Sequence, residues 1–250
     1  MKLLSQKEAL VQSALKNVPG LQLIEGFLSP EECNAFIISL EEYRKSYEIP
    51  LIYRPERKRS LKYRVINGED IQKRLPTIQK LYESILPTVQ GVTNQNIVPL
   101  KNRVVGVNIN FTPPGGAYRW HYDRNAVTAV LYLNEVDGGE IEAYPDYRFL
   151  LKGARSSRLQ GYVDRLLRFG IFLRLGRKCV IAPKSGRLVI MRGDRCLHSV
   201  RTVSSSRDRI CIVMSFDFAD AVFSQELALD SYLYSSQRYI AKSDPNYSSR

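Results

Sequence analysis

The run Val104-Val105-Gly106-Val107-Asn108-Ile109-Asn110-Phe111 decides the fold class, because apolar side chains recur at every second position along it. Alternation with a period of two places the two sets of side chains on opposite faces of a β-strand. The pattern therefore predicts a strand that begins near Arg103. Val105, Val107, Ile109 and Phe111 would lie on one face of it, opposite Val104, Gly106, Asn108 and Asn110.

Three further segments in the second half of the chain have the same strand character: Ala126–Asn134, Gly186–Met191 and Arg209–Phe218. The turn sequence Glu135-Val136-Asp137-Gly138-Gly139 follows the first of them and predicts a hairpin in which Glu140 to Tyr144 pairs back. Helical periodicity is confined mainly to the first hundred residues. The sequence therefore predicts an α+β fold, with a double-stranded β-helix (jelly-roll) core and N-terminal helices packed on one of its sheets.

The N-terminal part of the chain is predicted to consist of helices and short strands. Residues 1–17 have the pattern of an amphipathic helix, and Leu21–Ile24 that of a strand. Ser29-Pro30-Glu31-Glu32 predicts a helix start, since Ser can cap, Pro fits the first turn and Glu completes a capping box. Residues 46–68 predict a strand pair joined by an exposed loop. Residues 69–90 predict a helix that Pro76 kinks or restarts.

With 250 residues, the chain is predicted to form one domain. We expect N-terminal support from residues 1–100, a core at 101–220 with an insert at 145–182, and a tail at 221–250. No apolar run approaches the ~20 residues that span a bilayer, and the N-terminus lacks the apolar stretch of a secretory signal. The four cysteines form no C-x-x-C motif, so we expect reduced thiols in a cytoplasmic protein.

The net charge of +12 is unusual and is concentrated in two places. Between Asp146 and Arg187 there are eleven Lys and Arg against two Asp, and a second basic run covers Arg54–Lys62. Clustered positive charge favours an anionic partner such as phosphate, nucleic acid, a membrane face or an acidic carrier protein, although a solvated surface explains either run as well. Nucleic acid is disfavoured because no aromatic base-stacking motif is evident.

The two histidines of the chain lie where the ligands of a single metal ion are expected. His121 belongs to Arg119-Trp120-His121-Tyr122-Asp123, and His198 precedes an apolar strand that an arginine begins. An H-x-D pair with one distant His is the facial triad of non-haem Fe(II) oxygenases. We expect His121 and Asp123 on the same face of an extended segment. H-x-D alone is a weak pattern, and a zinc hydrolase with the same ligands is the alternative.

Several stretches resemble the iron- and 2-oxoglutarate-dependent dioxygenase superfamily, in particular its prolyl 4-hydroxylase-like branch. The likeness covers most of residues 18–145 and 180–218, and it is specific in combination. It is carried by Leu21 to Cys33, Asn110 to Asp123, Ala126 to Glu140 and Pro183 to His198.

The resemblance implies a jelly-roll enzyme that binds Fe(II), 2-oxoglutarate and O2, with ascorbate a candidate reductant. It implies metal ligands at His121, Asp123 and His198. It also implies a basic residue after the second His that binds the distal carboxylate of 2-oxoglutarate. Arg209 is favoured over Arg207, and the two are expected on the same face of the final strand. Tyr132, Asn110 and Thr128 complete the expected cofactor-binding set.

The activity implied is hydroxylation of an unactivated C–H group, with release of succinate and CO2. The carboxylate of Asp123 argues against a halogenase, which has a small residue at this position. The expected substrate is a small molecule or a carrier- or peptide-bound amino acid, and the basic runs suggest an anionic group on it. The alternatives are a protein prolyl 4-hydroxylase and, outside the enzymes, a basic jelly-roll binding module.

The basic insert departs from a minimal member of this superfamily. Its segment Arg158–Phe169 can form a basic amphipathic helix. Inserted segments beside a jelly-roll mouth commonly act as lids, so we expect the insert and the loop at 50–64 to flank the substrate entrance. An oligomer contact or a solvated flap is the alternative.

Overall fold

The computed structural model describes residues 18–54, 61–100, 103–151, 158–167, 173–174 and 176–219. The helix predicted for residues 1–17, the tail at 221–250 and residues 55–60 of the second basic run therefore lie outside the described residues.

The described helices are α1 (Pro30–Ser46), α2 (Gly68–Arg74), α3 (Pro76–Ser84), α4 (Leu86–Thr93), α5 (Arg103–Gly106) and α6 (Arg158–Leu167). The predicted capping box begins α1: the Ser29 hydroxyl accepts from the Glu32 amide at 3.2 Å, and the Ser29 amide donates to the Glu32 carboxylate at 2.7 Å. Pro76 restarts the helix, as one of the two alternatives predicted. A further break before Leu86 was not predicted, although Pro87 in the first turn of α4 explains it, since proline cannot continue a helix.

Twelve strands are described, and they form two antiparallel sheets. The major sheet has the order β1-β10-β7-β12-β5-β3-β2, with β4 also paired to β12, and the minor sheet has the order β6-β11-β8-β9. The strands are β1 (Leu21–Ile24), β2 (Leu51–Arg54), β3 (Leu61–Ile66), β4 (Ile97–Pro99), β5 (Val107–Thr112), β6 (Tyr118–His121), β7 (Val127–Tyr132), β8 (Ile141–Tyr144), β9 (Cys179–Ile181), β10 (Leu188–Met191), β11 (Leu197–Val200) and β12 (Arg209–Phe218).

The strands of the major sheet separate two apolar cores. On β12, Ile210 and Ile212 belong to the core that also contains Leu40 of α1 and Ile78 of α3. The alternate residue Cys211 faces the second core, which lies between the sheets and includes Ile141 of the minor sheet. Helices on one face of the major sheet and a second sheet on the other confirm the predicted α+β, jelly-roll type of fold.

Two predicted strand features are wrong. β5 begins at Val107, because residues 103–106 form a helical turn packed against α2, where a Cβ on Gly68 would stand 1.9 Å from the Arg103 carbonyl oxygen. Glu140 to Tyr144 does not pair back on β7. Gly138 and Gly139 have φ of 75° and 68°, and the chain passes at this point to the minor sheet, where β8 pairs with β11 and β9.

No helix among the described residues is long and apolar enough to cross a membrane.

Candidate metal centre and cofactor cavity

Two neighbouring strands of the minor sheet bring the histidines together. His121 ends β6 and lies directly opposite His198 of β11, with 4.2 Å between the ring centroids. We had predicted Asp123 on the same extended segment as His121. In the structure β6 ends at His121, and Asp123 lies just beyond it. Its amide donates to the Gly193 carbonyl at 2.9 Å, which ties this segment to the loop before β11.

The carboxylate of Asp123 lies between the two imidazoles. Its Oδ1 is 3.5 Å from Nε2 of His121 and 3.5 Å from Nε2 of His198. One ligand atom from each of the three residues lies within 4.8 Å of the others. Two imidazoles and one carboxylate that converge in this way fit the donor set that non-haem Fe(II) enzymes use.

Backbone carbonyl groups fix the orientation of both imidazoles. Nδ1 of His121 is 2.8 Å from the Arg119 carbonyl oxygen, and Nδ1 of His198 is 3.0 Å from that of Cys196. A carbonyl oxygen only accepts, so each Nδ1 carries the proton and each Nε2 keeps its lone pair for a metal. Burial lowers the pKa of His198, which favours the neutral imidazole that metal binding requires.

The second oxygen of the Asp123 carboxylate, Oδ2, accepts a hydrogen bond from a side chain of β7. The Thr128 hydroxyl donates to Oδ2 at 2.6 Å, and the Asn125 amide in turn donates to that hydroxyl at 2.9 Å. Burial opposes the negative charge of Asp123, but the positive charge of His198 and His121 in their protonated forms, together with the Thr128 hydroxyl, outweighs it and lowers the pKa of the carboxyl. The acid is therefore ionised at neutral pH, with Oδ1 directed at the imidazoles.

Arg209 lies in the same cavity, at the start of β12, with only 3% of its surface exposed. Its guanidinium donates to the Tyr132 hydroxyl at 3.3 Å and to the Cys211 thiol at 3.3 Å. No carboxylate of the described residues accepts from it, and its Nε is buried without a hydrogen-bond partner. Because a buried charge is costly unless it is paired, this guanidinium fits the binding site of an anionic cosubstrate.

The other residues predicted to bind the cofactor have different surroundings in the structure. Asn110 lines the cavity and donates to the Tyr118 hydroxyl at 2.6 Å, whereas Thr128 contacts Asp123 and Tyr132 lies buried against Arg209. Arg207 is exposed, and its guanidinium is 3.4 Å from the Glu135 carbonyl oxygen. The expectation that Arg207 and Arg209 share a strand face is wrong, since β12 begins only at Arg209.

The cavity between the sheets has a volume of about 170 Å³. One wall is apolar and includes Leu61, Tyr63 and Val65 of β3. Two cationic residues that the sequence analysis did not select, Arg119 and Arg124, also line it. Arg124 directly follows the H-x-D motif and Arg119 lies two residues before it, and these positions could have indicated them.

The described part of the insert that precedes β9 packs on the outer face of the minor sheet. Tyr122, Tyr144 and Leu197 face away from the cavity and pack with Tyr147 and Leu173. None of the described insert residues lines the cavity. The described residues of the insert therefore give no support to the prediction that the insert flanks the entrance of the cavity.

Comparison with known proteins agrees with this site. Residues 107–216 match the family described as the 2OG-Fe(II) oxygenase superfamily, and this segment contains the metal-ligand candidates and Arg209. This match confirms the family recognised from the sequence for residues 107–216, which carry a 2OG-Fe(II) oxygenase domain and so indicate an oxygenase enzyme. No curated protein matches the chain in sequence.

Solved structures of the same fold come from several enzymes. The non-heme alpha ketoglutarate dependent carbocyclase SnoK from nogalamycin biosynthesis is 16% identical, with a TM-score of 0.64 over 83% of each chain. HygX from Streptomyces hygroscopicus, with nickel, 2-oxoglutarate and hygromycin B bound, is 15% identical, with a TM-score of 0.55 over 84% of this chain and 87% of its own. A prolyl hydroxylase from Trichoplax adhaerens, bound to a hypoxia inducible factor peptide fragment, is 15% identical, with a TM-score of 0.51 over 87% of this chain and 93% of its own.

Proposed function

We propose that this enzyme binds Fe(II) through His121, Asp123 and His198, binds 2-oxoglutarate through Arg209, and hydroxylates a C–H group of a small molecule. One observation carries the proposal: three metal-ligating atoms within 4.8 Å of one another share a cavity with a buried arginine that lacks a carboxylate partner among the described residues. The two features together match the two components that such an oxygenase must hold.

Bound Fe(II) and 2-oxoglutarate supply the activation of O2, which the protein alone cannot perform. The overall reaction is R–H + O2 + 2-oxoglutarate → R–OH + succinate + CO2, in which one oxygen atom enters the product and the other enters succinate. The contribution of the chain is to orient the two imidazoles and the carboxylate and to place a fixed positive charge beside them. Asn110 and Tyr132 are proposed to complete the cosubstrate site, and Thr128 to act through Asp123.

A small molecule with an anionic group is the substrate that the cavity supports. Concave sites with mostly apolar walls and a few placed polar groups are typical of small-molecule binding. Besides Arg209 and the three metal-ligand candidates, the cavity lining contains two charged side chains, Arg119 and Arg124. The anionic group is therefore proposed to bind near these two arginines, with the apolar part of the substrate against β3.

The substrate entrance is proposed to involve the segment 50–64, because Leu61 and Tyr63 at the start of β3 line the cavity. The division into one domain with N-terminal support and a jelly-roll core is likewise a proposal. Its support is the shared core of α1 to α4 and the major sheet. A cytoplasmic location is supported by four free cysteines, all of them buried.

The test is succinate formation from 2-oxoglutarate by the Fe(II)-loaded protein, first alone and then with a panel of apolar carboxylates and phosphates. We expect slow uncoupled turnover that His121→Ala abolishes and Arg207→Ala retains, and acceleration by a substrate whose mass rises by one oxygen atom. Oxidation of prolyl peptides instead would favour the protein hydroxylase alternative. The absence of turnover in the wild-type protein, or equal turnover in His121→Ala, would contradict the proposal.

A further inference from the structure

Helix α6 is oriented with its polar side inward and its apolar side outward. Gln160 and Asp164 are 0% and 2% exposed, whereas Leu159, Tyr162 and Leu166 are 63%, 69% and 53% exposed. The three apolar residues follow helical spacing and form one stripe, nearly opposite the buried polar pair. A helix packed on its own domain normally buries its apolar stripe, so this orientation requires a specific cause.

The cause is a set of hydrogen bonds that fixes the polar side. The Arg148 guanidinium donates to both oxygens of Asp164, at 2.9 Å and 2.6 Å. The Gln160 side chain accepts from the Leu151 amide at 2.9 Å and donates to the Phe149 carbonyl at 2.9 Å. These contacts fix the rotation of α6 about its axis. They also bring Phe149, which is 65% exposed, beside the helix.

We call the surface formed by Phe149, Leu159, Tyr162 and Leu166 the α6 apolar face. The charges around it are positive. Arg165 on α6 is exposed, and so are Arg174 and Arg177, which follow Leu173. Leu173 packs in the same cluster as Tyr147, whose hydroxyl donates to the Leu167 carbonyl at 2.8 Å, so Arg174 lies near the C-terminal end of α6.

The acidic residues of this region do not neutralise these arginines. Asp164 is buried with Arg148, and Asp146 forms an ion pair with Arg195 at 2.5 Å. Among the described residues, no carboxylate forms an ion pair with Arg165, Arg174 or Arg177, whereas Lys178, Lys184 and Arg187 pair with Glu142 or Glu25. The partner of this face must therefore accept apolar and aromatic side chains and carry negative charge at the same time.

We propose that the α6 apolar face docks the protein onto the surface of an anionic phospholipid bilayer. Leu159, Tyr162 and Leu166 would enter the boundary between headgroups and acyl chains, and Arg165, Arg174 and Arg177 would contact lipid phosphates. A stable protein partner would need about 800 Å² and some 20–30 residues on each side, whereas a narrow apolar stripe flanked by arginines suffices at a lipid interface. This inference goes beyond the proposed function and does not depend on it.

The experiment is co-sedimentation of the full chain with phosphatidylcholine vesicles, with and without phosphatidylglycerol. We expect the wild type to bind the anionic vesicles, and the triple variant Leu159→Gln/Tyr162→Gln/Leu166→Gln to bind at least roughly tenfold more weakly, since partitioning depends on buried apolar area. Arg174→Gln/Arg177→Gln should lose roughly fivefold per arginine. The matched control is Ile38→Gln, at an apolar residue of α1 that is 52% exposed and should leave binding unchanged.

Three results would overturn the proposal. The first is equal or absent binding of the wild type to the two kinds of vesicle. The second is anionic binding that the arginine variant loses but the triple variant keeps. The third is a wild-type dimer in sedimentation velocity that the triple variant converts to monomer, which would make the face a contact between copies of the chain. An unfolding midpoint of the triple variant close to that of the wild type establishes that these residues act at the surface.

Discussion

Gly193 lies so close to Asp123 that a Cβ at position 193 would stand 2.5 Å from the carboxylate Oδ2 and 2.9 Å from the Thr128 hydroxyl. The Gly193 carbonyl also accepts from the Asp123 amide at 2.9 Å. This glycine is therefore required for close approach. Its backbone packs against the carboxylate and, together with Thr128, holds it in register with the two imidazoles.

Gly193→Ala should weaken metal binding by roughly ten- to a hundredfold, the range found when groups that support metal ligands are disturbed. The reason is displacement of the Asp123 carboxylate by the added methyl group. Calorimetric titration with Co(II) measures the affinity. Gly91→Ala is the control, since a Cβ at Gly91 in α4 meets nothing within 4 Å. Equal affinities for the two variants would show that the close approach is unimportant.

Thr128→Val should also reduce Co(II) affinity, by about tenfold, because valine keeps the shape of threonine and removes the donor to Asp123. The same titration reports the effect. Thr93→Val removes a hydroxyl that donates to the Val89 carbonyl at 2.8 Å in α4, away from the site, and should leave the affinity unchanged. If Thr128→Val binds Co(II) as tightly as the wild type does, the Thr128 hydroxyl does not support metal binding.

Arg209→Ala should raise the 2-oxoglutarate concentration needed for half-saturation by roughly ten- to a hundredfold, the value of a charge-assisted hydrogen bond to a carboxylate. Arg207→Ala should change it little, because this side chain is exposed and outside the cavity. Anaerobic titration of the metal-loaded variants with 2-oxoglutarate measures both. If Arg207→Ala raises the half-saturating 2-oxoglutarate concentration more than Arg209→Ala does, Arg207 and not Arg209 binds the cosubstrate.

The Arg148–Asp164 pair is buried on both sides, at 4% and 2% exposure. Asp164→Leu or Arg148→Met alone should lower the free energy of unfolding by about 3–5 kcal/mol, since each leaves a buried charge without its partner. The double variant Arg148→Met/Asp164→Leu should lose less than the sum of the two. Denaturant unfolding measures the cycle, and strictly additive losses would mean that the two residues do not interact.

Much of this architecture is readable in the sequence because β-strands alternate. The period-two pattern of β12 already separates Ile210 and Ile212, which face the helices, from Arg209 and Cys211, which face the cavity. The metal candidates were found for a simpler reason: the chain has only two histidines, and the structure sets them opposite each other.

Features that depend on tertiary contacts were not predictable. The passage of the chain from β7 to the minor sheet depends on two successive glycines with positive φ, which a hairpin also uses. The outward apolar side of α6 depends on Arg148, ten residues before the helix, because periodicity identifies an apolar stripe and not the direction in which it points.

Anaerobic titration of the protein with Fe(II) in the presence of 2-oxoglutarate, followed by visible absorption, measures whether His121, Asp123 and His198 hold a ferrous ion. We expect a weak metal-to-ligand charge-transfer band that saturates at one Fe(II) per chain and is lost in His198→Ala and Asp123→Ala. The band should persist in Arg207→Ala. No band in the wild type, or an undiminished band in the two ligand variants, would contradict a ferrous centre at these residues.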